Sequence, residues 1–169
     1  MKTKSHILPC SCYDTQDVAF LILSTHIERM KHQVYLSLGS NTGNRAALMQ
    51  QAIKQIGLAV GKVVRTSRFI ETEPWGFVSE HQFLNACICV ETLLSPRQVL
   101  EATQRIERQL GRERKSENGV YHDRPIDIDI LLFDDMHINE PDLVIPHPLM
   151  LERDFVMIPL REILPTPRR

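Results

Sequence analysis

Residues 126–133, Ile-Asp-Ile-Asp-Ile-Leu-Leu-Phe, alternate apolar and acidic side chains before turning wholly apolar. A period of two is the mark of a β-strand, whose successive side chains leave opposite faces of a sheet. Ile126, Ile128, Ile130 and Leu132 are therefore expected on one face, against a core. Asp127 and Asp129 fall on the other, one pleat apart and about 7 Å between Cα atoms. Any fold that contains this strand must bury one face of its sheet and leave two neighbouring carboxylates on the other. A lone D-x-D is more often a pair of solvated aspartates than a site, so its meaning depends on what the chain brings beside it.

The preceding segments supply the sheet and its helices. Val34, Leu36 and Leu38 alternate with Tyr35 and Ser37, a strand that ends at Gly39. After the turn-rich residues 40–44, Leu48, Met49, Ala52, Ile53 and Ile56 recur at helical spacing, and Gly57 is the expected stop. Residues 63–72 and 83–92 are rich in β-branched and aromatic side chains and read as two strands. Residues 73–82 between them, punctuated by proline and glycine, are too long for a tight hairpin. Ser95, Pro96 and Gln98 form an N-cap, an N1 proline and the N3 partner of a capping box. They open a helix that turns Val99, Ala102, Ile106 and Leu110 inward and stops at Gly111. The order βαββαβ predicts an α+β, ferredoxin-like core, with helices on one face of a mainly antiparallel sheet and the other face available for a site. Proline-rich residues 141–169 are expected to wrap that free side.

Composition sets the limits. A chain of 169 residues, 43% of them hydrophobic, is long enough for one domain with a real core. A formal net charge of −1 speaks against a surface built to grip nucleic acid or an anionic membrane, so any anion site must be local. Cys10, Cys12, Cys87 and Cys89 form two C-x-C pairs without zinc-ribbon spacing; Cys87 and Cys89 lie in an apolar run and read as small core hydrophobes. Reduced thiols point to the cytoplasm. Val18 to Leu23 is too short to span a bilayer and follows Asp14 and Asp17, unlike a secretory signal. Residues 1–29, ahead of a second methionine at Met30, read as an N-terminal extension, loose or a start-site artefact, and residues 30–169 as a single domain.

Paired carboxylates suit Mg²⁺, which takes one or two of them and leaves its other positions to water and phosphate oxygens. Arg112, Arg114, Lys115 and Arg124 precede the acidic strand and could neutralise a polyphosphate, although Glu113 and Glu117 in the same loop fit a plain solvated segment. The chain contains no G-x-x-x-x-G-K-[ST], so a nucleotide would be held by arginines and metal. Phe83 and Asn85 share a strand face that suits a flat heterocycle. Phe83 alone would more often be core, but an asparagine in mid-strand calls for a reason. Loops 73–82 and 112–125 flank this face and read as lids.

Five colinear segments, LSLGSNTGNR at 36–45, ETEPWG at 71–76, FLNACICVET at 83–92, DRPIDIDILLF at 123–133 and IPHPLMLERDFVMIPL at 145–160, resemble the hydroxymethyldihydropterin pyrophosphokinase family. The resemblance runs over roughly residues 33–163. It implies a three-layer α-β-α sandwich and transfer of diphosphate from ATP to the pterin alcohol 6-hydroxymethyl-7,8-dihydropterin, giving AMP, in tetrahydrofolate biosynthesis. By the same resemblance, Asp127 and Asp129 hold two Mg²⁺ ions, and Arg112 and Arg124 act with them at the reacting phosphates. Gln104, Glu107, Arg112, Arg114, Ile128, His147 and Arg153 match positions that contact ATP. Thr72, Pro74, Trp75, Phe83, Asn85 and Phe155 match the pterin pocket, with the ring between Phe83 and Phe155. Neighbouring folate-pathway enzymes are the implied partners. Three departures stand out: no tryptophan between Arg114 and Arg124, Pro148 where a tyrosine is often found, and Asp142 where some members place a phosphate-binding arginine. Two other readings of the D-x-D face remain at this point. One is a metal-dependent phosphohydrolase or nuclease; the other is a non-catalytic ferredoxin-like module binding a ligand or RNA.

Overall fold

The computed structural model describes residues 31–112 and 122–165. The expected extension 1–29, with Cys10 and Cys12, and the loop residues Arg114 and Lys115 lie outside the described residues.

Strand β1 (His32–Ser40) leads into helix α1 (Arg45–Ala59), whose N-cap Asn44 accepts a hydrogen bond from the Ala47 amide at 3.1 Å. Strands β2 (Gly61–Thr66), β3 (Ile70–Thr72) and β4 (Phe83–Thr92) follow, then helix α2 (Pro96–Gln109) and strand β5 (Asp127–Phe133). The sheet order is β2-β4-β1-β5, every pair antiparallel, with β3 continuing the β2 edge against β4. That is the ferredoxin-like plan. Beyond it, β6 (Ile138–Glu140) and β7 (Leu143–Ile145) form a two-stranded ribbon, and helix α3 (Asp154–Ile163) closes the order. None of the described helices is long and apolar enough to cross a membrane.

Two apolar layers sandwich the sheet. On one side Met49, Ala52 and Ile56 of α1 and Val99, Ala102 and Ile106 of α2 pack on Leu36, Leu38, Ile88, Val90, Ile128 and Ile130. On the other, Val156, Leu160 and Ile163 of α3 cover Tyr35, Cys87, Cys89 and Leu131. Each fully buried aliphatic side chain contributes roughly 1.5–3 kcal/mol, so both layers fasten firmly to the sheet. The capping box of α2 is complete: Ser95 accepts from the Gln98 amide and Gln98 from the Ser95 amide. Cys87 and Cys89 are free and buried, the core role expected of them.

Three local expectations need correction. Gly57 does not end α1; the helix runs to Ala59, and the chain reverses at Gly61. There a Cβ would lie 2.1 Å from the Glu91 carbonyl oxygen, so glycine is required by close backbone approach. Residues 63–72 are not one strand. The ladder breaks at 67–69, where Ser67 bonds Cys87 through its amide and hydroxyl and the Arg68 amide turns to Glu162 of α3 at 2.9 Å. Leu132 does not share the face of Ile126, Ile128 and Ile130. The β1–β5 register shifts between Tyr35 and Leu36, so Leu131 and Leu132 both meet the α3 layer and Phe133 returns to the α1–α2 side. The C-terminal segment covers part of the free side as expected, and it does so as a regular helix with Pro159 buried inside it.

Candidate functional site

Helix α3 covers only half of its face of the sheet, and the uncovered half carries the polar side chains. Along β1 the residues facing this side run from Tyr35, beneath α3, to Ser37 and Gly39, which lie at the floor of a cleft. Along β4 they run from Cys89 and Cys87 to Asn85 and Phe83, and along β5 from Leu131 to Asp129 and Asp127. The register sets these side by side: Gly39 pairs with Asn85 on one flank and Asp127 on the other, and Ser37 with Cys87 and Asp129. Small residues on the central strand form the floor between an amide and two acids. A Cβ on Gly39 would stand 2.9 Å from the Asn85 Oδ1, so this floor has no room to rise.

Two clefts meet over that floor. The first is lined by Thr72, Trp75, Phe83, Asn85 and Phe155 from the expected set, joined by Ser37, Gly39, Glu73 and Phe77. Its aromatic rings are mutually oriented: Trp75 and Phe155 are tilted at 6.3 Å, and Phe77 meets Phe83 edge-on at 6.1 Å. Asn85, almost fully buried, donates through Nδ2 to the Thr72 hydroxyl at 2.8 Å. Pro74 is half-buried beside Trp75 and does not line the cleft. The second cleft brings together Gln104, Glu107, Arg112, Ile128 and His147, all expected, with Asp142 and Pro148 on its wall. Asp127, Asp129, Arg124 and Arg153 line both clefts. Arg114 lies outside the described residues.

Charge is concentrated at this junction. One Arg112 nitrogen, Nη1, donates to both Glu107 and Asp127, and Arg124 Nη2 meets Asp127 Oδ2 at 2.8 Å. Glu107 also accepts from the Ile128 amide at 2.8 Å, which fixes α2 to β5. Burial, reinforced by the charge of Asp127, pushes the Glu107 carboxyl well above the ordinary range. Asp129 is raised by the same two causes in the same order, against the opposing pull of Arg124, Arg153 and Arg112. Burial and the neighbouring Arg153 lower His147, favouring the neutral ring. Two of these arginines also touch the aromatic cleft. Arg153 stands 4.6 Å from the Trp75 ring centre and Arg124 stands 5.5 Å from that of Phe83.

The donor set at the junction fits Mg²⁺. Two half-buried carboxylates crowd one another and open on a polar cleft, which is the charge arrangement a hard divalent cation relieves. Among the described residues no group of three or more His, Cys, Asp or Glu side chains could hold a metal. A zinc-type cage is therefore not what these residues build, whereas an ion completing its shell with phosphate oxygens needs no third carboxylate.

Of the residues not anticipated, Ser37 and Gly39 were legible, since they alternate with Leu36 and Leu38. Glu73 and Phe77 sit in a loop without periodicity and gave no signal.

A polar, arginine-lined cleft and an aromatic slot meeting at a carboxylate pair define an enzyme of the group-transfer class, able to hold donor and acceptor at once. Residues 35–165 match the family model described as 7,8-dihydro-6-hydroxymethylpterin-pyrophosphokinase, and the chain belongs to that family. It is 53% identical over 133 residues to the 2-amino-4-hydroxy-6-hydroxymethyldihydropteridine pyrophosphokinase of Porphyromonas gingivalis, covering 78% of this chain and 90% of the relative. To the enzyme of the same name from Bacillus subtilis it is 42% identical over 135 residues, 79% of each chain. In fold it is similar to a Plasmodium falciparum HPPK-DHPS, with a TM-score of 0.61 at 19% identity over 78% of this chain and 40% of that one.

Proposed function

We infer that the two clefts divide the substrates of diphosphate transfer, ATP in the cleft of Gln104 and His147 and 6-hydroxymethyl-7,8-dihydropterin in the aromatic slot. The chain is an ATP-dependent pyrophosphokinase of folate synthesis by its family and its relatives. The observation that carries the division is that Asp127, Asp129, Arg124 and Arg153 are common to both clefts, so the transferred group would cross only that shared wall.

In this reading Asn85 and Thr72 pair with the polar edge of the pterin, and Phe83 and Phe155 flank its faces. Neutral His147, Gln104 and Arg153 hold the nucleotide. The hydroxymethyl oxygen forms a bond to the β-phosphorus in line, the bond from that phosphorus to the α,β-bridging oxygen breaks, and AMP leaves with the bridging oxygen; the hydroxyl proton is released. Asp127 and Asp129 would hold the two Mg²⁺ ions, which supply charge neutralisation of the polyphosphate. Arg112 and Arg124, already fixed against Asp127, face the developing negative charge without having to reorganise. Loop 73–82, with Trp75 and Phe77 against the slot, excludes water that would otherwise take the diphosphoryl group.

Neighbouring folate enzymes are the partners this reading favours. A folate synthesis bifunctional protein from Arabidopsis thaliana is 33% identical over 157 residues, which cover 28% of its length. Buried free Cys87 and Cys89 support a cytoplasmic setting.

The test is AMP formation from Mg·ATP with and without the pterin alcohol, beside Asp127→Ala and Asp129→Ala. Pterin-dependent AMP release that collapses in both variants is expected. Release of ADP or inorganic phosphate, or no turnover by a folded protein, would overturn the assignment.

A further inference from the structure

Arg45, the first residue of α1, belongs to the helical layer, yet its guanidinium reaches the base of loop 73–82. Its Nη2 donates to Glu71 Oε1 at 2.6 Å and its Nη1 to the Gln82 carbonyl oxygen at 2.8 Å. Glu71 lies two residues before the loop begins and Gln82 is its last residue. The Gln82 side chain in turn donates to Glu73 Oε1 at 2.7 Å, across the loop's base. Both feet of the loop are thus tied together, and to α1, through one arginine.

The tie acts at the point where the loop leaves the sheet. Strand β3 has three residues on the sheet edge, and its ladder to β4 ends at the Thr72–Phe83 pair. Short edge pairings of this kind open readily. Trp75 and Phe77, carried by this loop, form part of the aromatic slot, and Glu73 lines it as well. Alternation along β3 places Thr72 toward the slot and Glu71 toward the helices, so Arg45 grips the strand from behind while leaving the binding face clear. As a surface ion pair Arg45–Glu71 contributes little to global stability, the side chains being 30% and 56% exposed. Its geometry is what counts: a planar fork that satisfies a carboxylate and a backbone carbonyl together fixes their separation.

We propose that Arg45 is a positioning residue for the acceptor site, clamping both ends of loop 73–82 so that Trp75 and Phe77 are preset over the flat ring. The proposal rests on the reading of the aromatic cleft as the pterin slot. Without the clamp the ring must order the loop as it binds, and this raises the pterin KM without touching the phosphate side.

Arg45→Met keeps the aliphatic stem and removes both donors; Arg45→Lys restores one. For Arg45→Met the pterin KM rises about tenfold, on the scale of one lost charge-assisted contact, while kcat and the ATP KM stay within about twofold. Trp75, the single tryptophan of the chain, reports loop motion directly, and its fluorescence anisotropy decay gains a faster local component. Arg45→Lys recovers part of both effects. An unchanged pterin KM, equal rises in both KM values, or Lys behaving as Met overturns the clamp. Asn85→Ala, made in the otherwise unaltered chain, tests the underlying reading separately. If it leaves the pterin KM unchanged, the slot assignment fails and the clamp's role with it; if the pterin KM rises in Asn85→Ala but not in Arg45→Met, the clamp alone fails.

Discussion

Asp129→Asn separates what the carboxylate pair does for catalysis from what it costs the fold. The Asp129 carboxyl is pushed up to about 7, first by burial and then by the charge of Asp127, net of the attraction of Arg124, Arg153 and Arg112. A carboxyl raised in this way lowers stability as pH rises. Between its unfolded value and about 7 the folded chain holds a proton that the unfolded chain has released, and above that the whole penalty is present. The gap from the unfolded value of 3.8 corresponds to at most about 4 kcal/mol at 1.36 kcal/mol per pH unit. An asparagine of the same shape removes the charge. With Mg²⁺ chelated at about pH 8, the variant should be about 2–4 kcal/mol more stable than the native chain, a rise of roughly 4–16 °C in Tm. At about pH 4 the advantage should shrink to under about 1 kcal/mol, because Asp129 is then neutral in the folded state and only about half ionised in the unfolded one. Mg·ATP should stabilise the native chain far more than the variant, and pterin-dependent AMP formation should collapse. Thermal melts at both pH values with and without EDTA decide the matter. A variant no more stable than the native chain at about pH 8, or an advantage independent of pH, would refute the electrostatic argument.

Gly39→Ala places a methyl 2.9 Å from the Asn85 Oδ1 and must push the amide aside, so steady-state kinetics should show the pterin KM rising with the ATP KM little changed. Ser95→Ala removes the side-chain acceptor of the α2 capping box and should cost about 1 kcal/mol in urea melts, with kcat unaffected. Burial pushes the Cys87 thiol up to about 12, so peptide mass spectrometry should find it unlabelled by iodoacetamide in the folded chain near about pH 8 and labelled once unfolded in guanidinium.

The elements with a local physical cause were legible in the sequence. Alternation located β1 and β5, β-branched and aromatic enrichment located β4, and the Ser95–Pro96–Gln98 cap located the start of α2, because each is written in a few adjacent residues. Failures came where a distant residue decides. Nothing near Leu132 announces the register shift opposite Tyr35 and Leu36 that moves it to the α3 side. Nothing near Ser67 announces that the Arg68 amide will find Glu162 and end the strand. Gly57 resembled a stop, but the close approach that requires glycine occurs at Gly61 against Glu91. The same division holds in the site. Asp127, Asp129 and Asn85 followed from strand period, and Ser37 and Gly39 could have; Phe77 and Glu73, placed by a loop, could not.

Strand period says which face a residue takes, but not where along that face a covering layer ends. Three strands answer together: Tyr35 gives way to Ser37 on β1, Cys87 to Asn85 on β4 and Leu131 to Asp129 on β5, all on the α3 side of the sheet. One helix end therefore sets the boundary between core and site. A slip of β5 by one residue would turn Asp127 and Asp129 into the α1–α2 core and Ile128 and Ile130 toward solvent, at several kcal/mol for each unpaired buried charge. The two carboxylates that line both clefts are thus the charges that forbid the wrong register. The β1–β5 irregularity lies beyond Ile130, past the last acidic residue of the site, where it can re-aim Leu131 and Leu132 without disturbing either carboxylate.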